Sequence, residues 1–208
     1  MAEKEELLKE VVGIITQELT RDAVHKKRKK ELVYTCSLAQ NISGWIGLSV
    51  TKDRSDGRVG VSPIVGVRSE EIEAFVEKHW GRPAPTISIS LGYLMPEQRH
   101  LEWLFEPQPF DYVSEAKKVT KAIETYGIPF MKANASLDVI VNDLEHLRFS
   151  LKESVEYRLP VAYLLVNKTG PAVKYVNERL AALDGRQDDA AVRYRAFGAA
   201  FLQEAMKR

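Results

Sequence analysis

Residues 96–103 read Pro-Glu-Gln-Arg-His-Leu-Glu-Trp and gather, in one short run, most of the side-chain types that recognise or transform other molecules. Arg99 can fork onto a carboxylate, His100 can take or give a proton near neutral pH, and Glu97 and Glu102 can steer a basic partner. Trp103 can bury a large area at small entropic cost. Nothing beside them resembles an activated nucleophile. A polar run between two strand-like segments is a loop tip carried by a sheet, where function often resides. The expected role is therefore a partner-binding surface of Glu97, Arg99, His100, Glu102 and Trp103, joined by Trp45 if that side chain lies on the same face. The plainer alternative is a core tryptophan beside a solvated turn.

Other chemistry is sparse. His25, His79, His100 and His146 have no histidine partner three or four residues away, and Cys36 is the single cysteine, so no metal site or disulfide is written locally. No phosphate-binding loop, dinucleotide turn or Gly-x-Ser-x-Gly elbow occurs, and no cofactor is implied. The acidic pairs Glu70-Glu71 and Asp188-Asp189 stand at helix starts, where they answer the helix dipole. An enzyme would need a site assembled only in three dimensions. Residues 26–30, Lys26, Lys27, Arg28, Lys29 and Lys30, form a basic cluster that can contact a nucleic-acid backbone. Without a second cluster or stacking aromatics, a solvated loop explains it as well.

The balance of charge agrees with that reading. Among 208 residues, 28% are charged and the net charge is +1, which gives no global attraction to nucleic acid or to an anionic membrane. Hydrophobic residues make up 45%, enough for a substantial core. The first residues are acidic where a secretion signal is basic, and no run approaches the about 20 apolar residues that span a bilayer, so a cytoplasmic protein is expected.

The elements that must position these residues divide at Pro107. Residues 31–106 alternate apolar and polar with period two: Leu32, Tyr34, Cys36 and Leu38; Ile46, Leu48 and Val50 opposite Trp45; residues 59–67; Ile87, Ile89 and Leu91; Leu101, Trp103 and Phe105. Residues 41–44 and Asp56-Gly57 supply the turns, which gives an antiparallel meander sheet of about five strands. Before it, Leu7, Val11, Ile15 and Leu19 mark an amphipathic helix over residues 4–21, expected to lie on the sheet. Ser69 caps an inserted helix that stops before Gly81.

After Pro107 the pattern is helical. One helix starts at Asp111 or Ser114 and ends near Gly127, with Pro129 enforcing the break. A second runs from Ser136 along Leu137, Ile140, Val141, Leu144, Leu147 and Leu151, and Pro160 allows a new start. Residues 159–183 form a helical hairpin about the Asn167–Pro171 turn, and residues 188–206 close the chain. The fold class is α+β, with residues 1–107 as helix plus sheet and residues 108–208 as a helical region packed on it. That order of elements faintly resembles small α+β proteins found beside bacterial toxin systems, many of them immunity proteins or domains of unknown function. The resemblance implies a non-catalytic protein, of immunity or adaptor type, that binds one cognate protein partner. No diagnostic motif accompanies it, so it assigns no residue a role.

Overall fold

The computed structural model of the chain describes residues 2–20, 25–26, 32–52, 57–81, 84–106, 111–150 and 152–207. The chain divides into two units, Met1–Val67 with Ser88–Asn134, and Arg68–Ile87 with Ala135–Arg208. Each unit is made of two separate stretches of chain. The helical segment that follows the sheet belongs with the sheet, and the helix inserted between strands belongs with the C-terminal helices.

The strands, in the first unit but for Arg68, Ser69 and Ile87, are β1 His25–Lys26, β2 Val33–Ala39, β3 Ile42–Thr51, β4 Val59–Ser69, β5 Ile87–Ser90 and β6 Trp103–Phe105. They join in the order β1-β2-β3-β4-β5, with β6 also pairing β4, and β1 to β4 form the expected antiparallel meander. Tyr34 faces Ile46 across β2 and β3, and both are fully buried. Thr35 and Trp45 pair on the opposite face. The β2-β3 turn is tighter than residues 41–44 suggest: Asn41 alone takes positive φ, at 58°, and β3 begins at Ile42. Gly44 is a strand residue opposite Cys36, where a Cβ would stand 2.6 Å from the cysteine sulfur. It is glycine because the strand must pass a thiol closely, and not because the chain turns there.

Helix α1, Ala2–Leu19, buries Leu7, Val11, Ile15 and Leu19. It packs along α3, Tyr112–Ala122, and meets the sheet through a 2.6 Å hydrogen bond between Thr16 and Tyr34. The Thr16 hydroxyl donates to the Val12 carbonyl, so the proton in that bond comes from Tyr34. Asp111 caps α3, accepting from the Ser114 amide. The helix does not end at Gly127: it widens into a π-helical turn over Ile123–Gly127 and continues as α4, Ile128–Ala133. Widening the turn lets Pro129 enter without the amide that an unbroken α-helix would require there.

The second unit is built from α2 Glu70–Trp80, α5 Leu137–His146, α6 Lys152–Leu165, α7 Thr169–Ala182 and α8 Asp189–Ala205. Ser69, Ser136 and Asp188 are N-caps, and Gly81 ends α2 at φ 73°. Helix α5 stops five residues short of Leu151 because Leu147 turns left-handed, at φ 54°. The expected helical hairpin is present as α6 against α7. Pro160, however, starts nothing: it lies inside α6. Its ring nitrogen cannot donate to the carbonyl of Glu156, one turn earlier, and the Tyr194 hydroxyl donates to that oxygen instead at 3.3 Å. A side chain from α8 thus stands in for a missing backbone amide. Beneath α2, Glu73 is fully buried and accepts from Arg158 Nε at 2.7 Å, from Arg158 Nη2 at 3.1 Å and from Thr86 at 2.9 Å. Arg68, also buried, donates to Glu70, to Glu77 and to the Ala84 carbonyl.

Candidate functional site

The loop from β5 to β6 carries most of the residues singled out by sequence. It leaves Ser90, makes a short 3₁₀ turn at Leu91–Tyr93, and returns to Trp103. Gly92 lies so close to Arg99 and Leu101 that a Cβ would be 2.8 Å from the Leu101 amide nitrogen. Gln98 takes φ 47° and donates its amide to the Met95 carbonyl at 3.0 Å, which closes the tip. The two ends of the loop touch, so its shape is set by its own backbone.

Register with β4 sorts the side chains. Val59 pairs Phe105 and Val61 pairs Trp103, which puts Trp103 on the face of two fully buried valines. Gly60 pairs Leu104 on the other face, and the Glu102 side chain occupies the space above Gly60 that a Cβ would need. His100 lies on that face as well, with Nε2 3.5 Å from the Ser62 hydroxyl and Nδ1 3.5 Å from the Ser90 hydroxyl. Ile64, two residues beyond Ser62, is 36% exposed, and Tyr93 is 51% exposed. Glu97 and Arg99 are exposed.

Chemically, the contacts of His100 are longer than those of a proton-transferring pair. A serine-histidine pair able to transfer a proton has its atoms about 2.6–3.2 Å apart and the second ring nitrogen held by an acceptor such as a carboxylate. Here the second nitrogen faces another hydroxyl, and Ser62 is only 6% exposed. What the loop offers is a fixed surface of tyrosine, arginine, histidine and glutamate.

The second unit contains a feature that sequence reasoning missed. Glu71, Ala74, Phe75 and Lys78 of α2, Val161, Leu164 and Leu165 of α6, and Phe201 and Glu204 of α8 line a groove of about 360 Å³. Phe75 stacks edge-on against Phe197 and Phe201, and His79 against Phe197, so α2 and α8 run antiparallel. Burial, aided by the neighbouring Lys78 charge, holds the His79 pKa below its ordinary value. The available signal was the helical face of Ile72, Phe75, Val76 and His79; it marks an amphipathic helix without saying that the neighbouring Glu71, Ala74 and Lys78 border an open groove.

Comparison with family models, with curated proteins and with solved structures finds no match.

The structure thus brings Glu97, Arg99, His100 and Glu102 onto one loop but sends Trp103 to the opposite face of its strand. Trp45 is 5% exposed and offers almost no surface. Of the basic cluster, Lys27, Arg28, Lys29 and Lys30 lie outside the described residues, as does Asp56 of the expected turn. Among the described residues no group of three or more His, Cys, Asp or Glu is placed to hold a metal ion. Within the same residues no helix is long and apolar enough to cross a membrane.

Proposed function

We propose that this chain is a non-catalytic protein-binding module, of immunity or adaptor type, that captures one partner on the loop of residues 91–102. The observation that carries the reading is the closure of that loop on Gly92. A recognition loop whose shape is already fixed loses little entropy on binding, and it presents Tyr93 and Arg99, side-chain types that anchor interfaces, with Glu97 at its tip. Glu102 supports the loop from below by filling the space over Gly60.

The test is affinity capture from cells of the source organism with the wild-type chain and with Tyr93→Ala/Arg99→Ala, bound proteins being quantified by mass spectrometry. Both substituted side chains are exposed, so the melting temperature should hold while one protein is lost from the captured set. Equal capture by both chains refutes the loop as the binding surface.

A hydrolytic reading draws on one observation, the approach of His100 to Ser62. It predicts that a fluorophosphonate probe labels Ser62 and that His100→Ala abolishes the labelling. The burial of Ser62 and the hydroxyl on the other histidine nitrogen weigh against it.

A further inference from the structure

The groove of the second unit has ends of opposite charge. Because α2 and α8 are antiparallel, with Phe75 beside Phe201 and His79 beside Phe197, Glu204 of α8 lies toward the Glu71 end of α2; Lys207 pairs with it at 3.3 Å, so the exposed Glu71 carries the negative charge of that end. Lys78 stands at the other end. Seven residues of helix separate Glu71 from Lys78, a distance of about 10 Å, or two helical turns. Between them the floor is Ala74, Phe75, Val161, Leu164, Leu165 and Phe201. Ala74, itself part of this floor, is exposed, so the floor is open to solvent above it.

We propose that the groove receives a short amphipathic α-helix of a partner protein, which inserts two apolar side chains one turn apart and lies with its N-terminal end at Glu71 and Glu204. In that orientation the positive end of the helix dipole, and a basic residue in its first turn, meet the Glu71 carboxylate, with the Lys207-paired Glu204 beside it. The negative end, and an acidic residue there, meet Lys78. A groove about two turns long accepts apolar residues at i and i+4 and little more.

A second copy of this chain is a poorer occupant. The exposed large apolar residues among those described are Ile64, Tyr93, Val113, Leu147, Val192 and Met206, and no two of them stand one turn apart on a single helix. The proposal is independent of the loop reading, since it uses none of the loop's residues.

The experiment pans a phage-displayed library of helical peptides on the full-length chain, then measures the enriched peptide, fluorescein-labelled, by anisotropy. Enriched sequences should carry apolar residues at i and i+4, a basic residue before them and an acidic one after. Ala74→Trp, which fills the groove from an exposed position, should weaken binding by about tenfold or more. Ala74→Glu, which adds a charge to the floor with less bulk, should do the same if the tryptophan variant folds poorly. Glu71→Lys/Lys78→Glu should weaken the selected peptide and favour its charge-reversed counterpart. Tyr93→Ala/Arg99→Ala should leave peptide affinity unchanged, which separates failure of this proposal from failure of the loop reading. Enrichment that Ala74→Trp does not diminish, selected peptides without charge polarity, displacement of the peptide by a fatty acid, or self-association of the chain abolished by Ala74→Trp would each overturn it.

Discussion

Removing the Tyr194 hydroxyl tests how α6 tolerates a proline in its interior. Tyr194 is 2% exposed and its hydroxyl donates to the Glu156 carbonyl at 3.3 Å, the oxygen that Pro160 leaves without its usual amide. Tyr194→Phe keeps the ring, and with it the edge contact to Tyr157 at 5.2 Å, while stranding that carbonyl. Leaving a buried acceptor unpaired costs about 1–3 kcal/mol, and because this bond is long and only part-buried the loss falls at the lower end, about 1 kcal/mol. For a chain of this size each kcal/mol lowers the melting temperature by about 2–4 °C. The assay is urea unfolding followed by circular dichroism, run as a cycle with Pro160→Ala. Alanine restores an amide to position 160 and so a second donor for Glu156, and the cost of Tyr194→Phe in that background should shrink by about 1 kcal/mol. Equal cost in both backgrounds would refute the substitution of hydroxyl for amide.

Further outcomes follow from the buried groups. Glu73→Gln removes the negative charge facing the buried Arg158 guanidinium in the second unit and should cost about 3–5 kcal/mol, while Glu73→Leu/Arg158→Met should recover most of it in the same unfolding assay. Gly44→Ala forces a methyl group against the Cys36 sulfur and should cost about 1–3 kcal/mol, a loss that Cys36→Ala relieves. Asp143 is 1% exposed; it accepts from Ser150 at 3.0 Å, yet its Oδ1 has no hydrogen-bond partner, and burial pushes its pKa up against the opposing pull of Ser150, the Phe149 amide and the Arg148 charge. Unfolded, the same carboxyl titrates near ~3.9, so between that value and its raised folded value the native state holds more protons and stability falls as pH rises. Asp143→Asn should flatten this part of the urea-midpoint profile against pH, and an unchanged slope would contradict the assignment.

How much could be read in advance depended on whether neighbours or distant segments decide the structure. Period-two alternation located the strands because one face of each is buried, as Tyr34 and Ile46 illustrate, and the caps at Ser69, Ser136 and Asp188 act within a few residues of themselves. Proline was misread twice, once where a remote side chain made it acceptable and once where a widened turn did. Tyr194, 34 positions after Pro160, and the π turn before Pro129 keep two helices running that local rules would stop. The loop of residues 96–103 was legible as exposed and charged. Its internal closure on Gly92 was not, since a close backbone approach leaves in the sequence only a glycine, which turns also use. The groove was invisible for a related reason: periodicity shows that a helix face is apolar, but only packing shows which part of that face remains uncovered.

The most direct test of the loop as a binding surface is hydrogen exchange of the full-length chain, alone and with the protein recovered by affinity capture. The account predicts slowed exchange at the amides of residues 92–101 when the partner is added. Protection confined to other segments, with this loop exchanging as it does in the free chain, would contradict it.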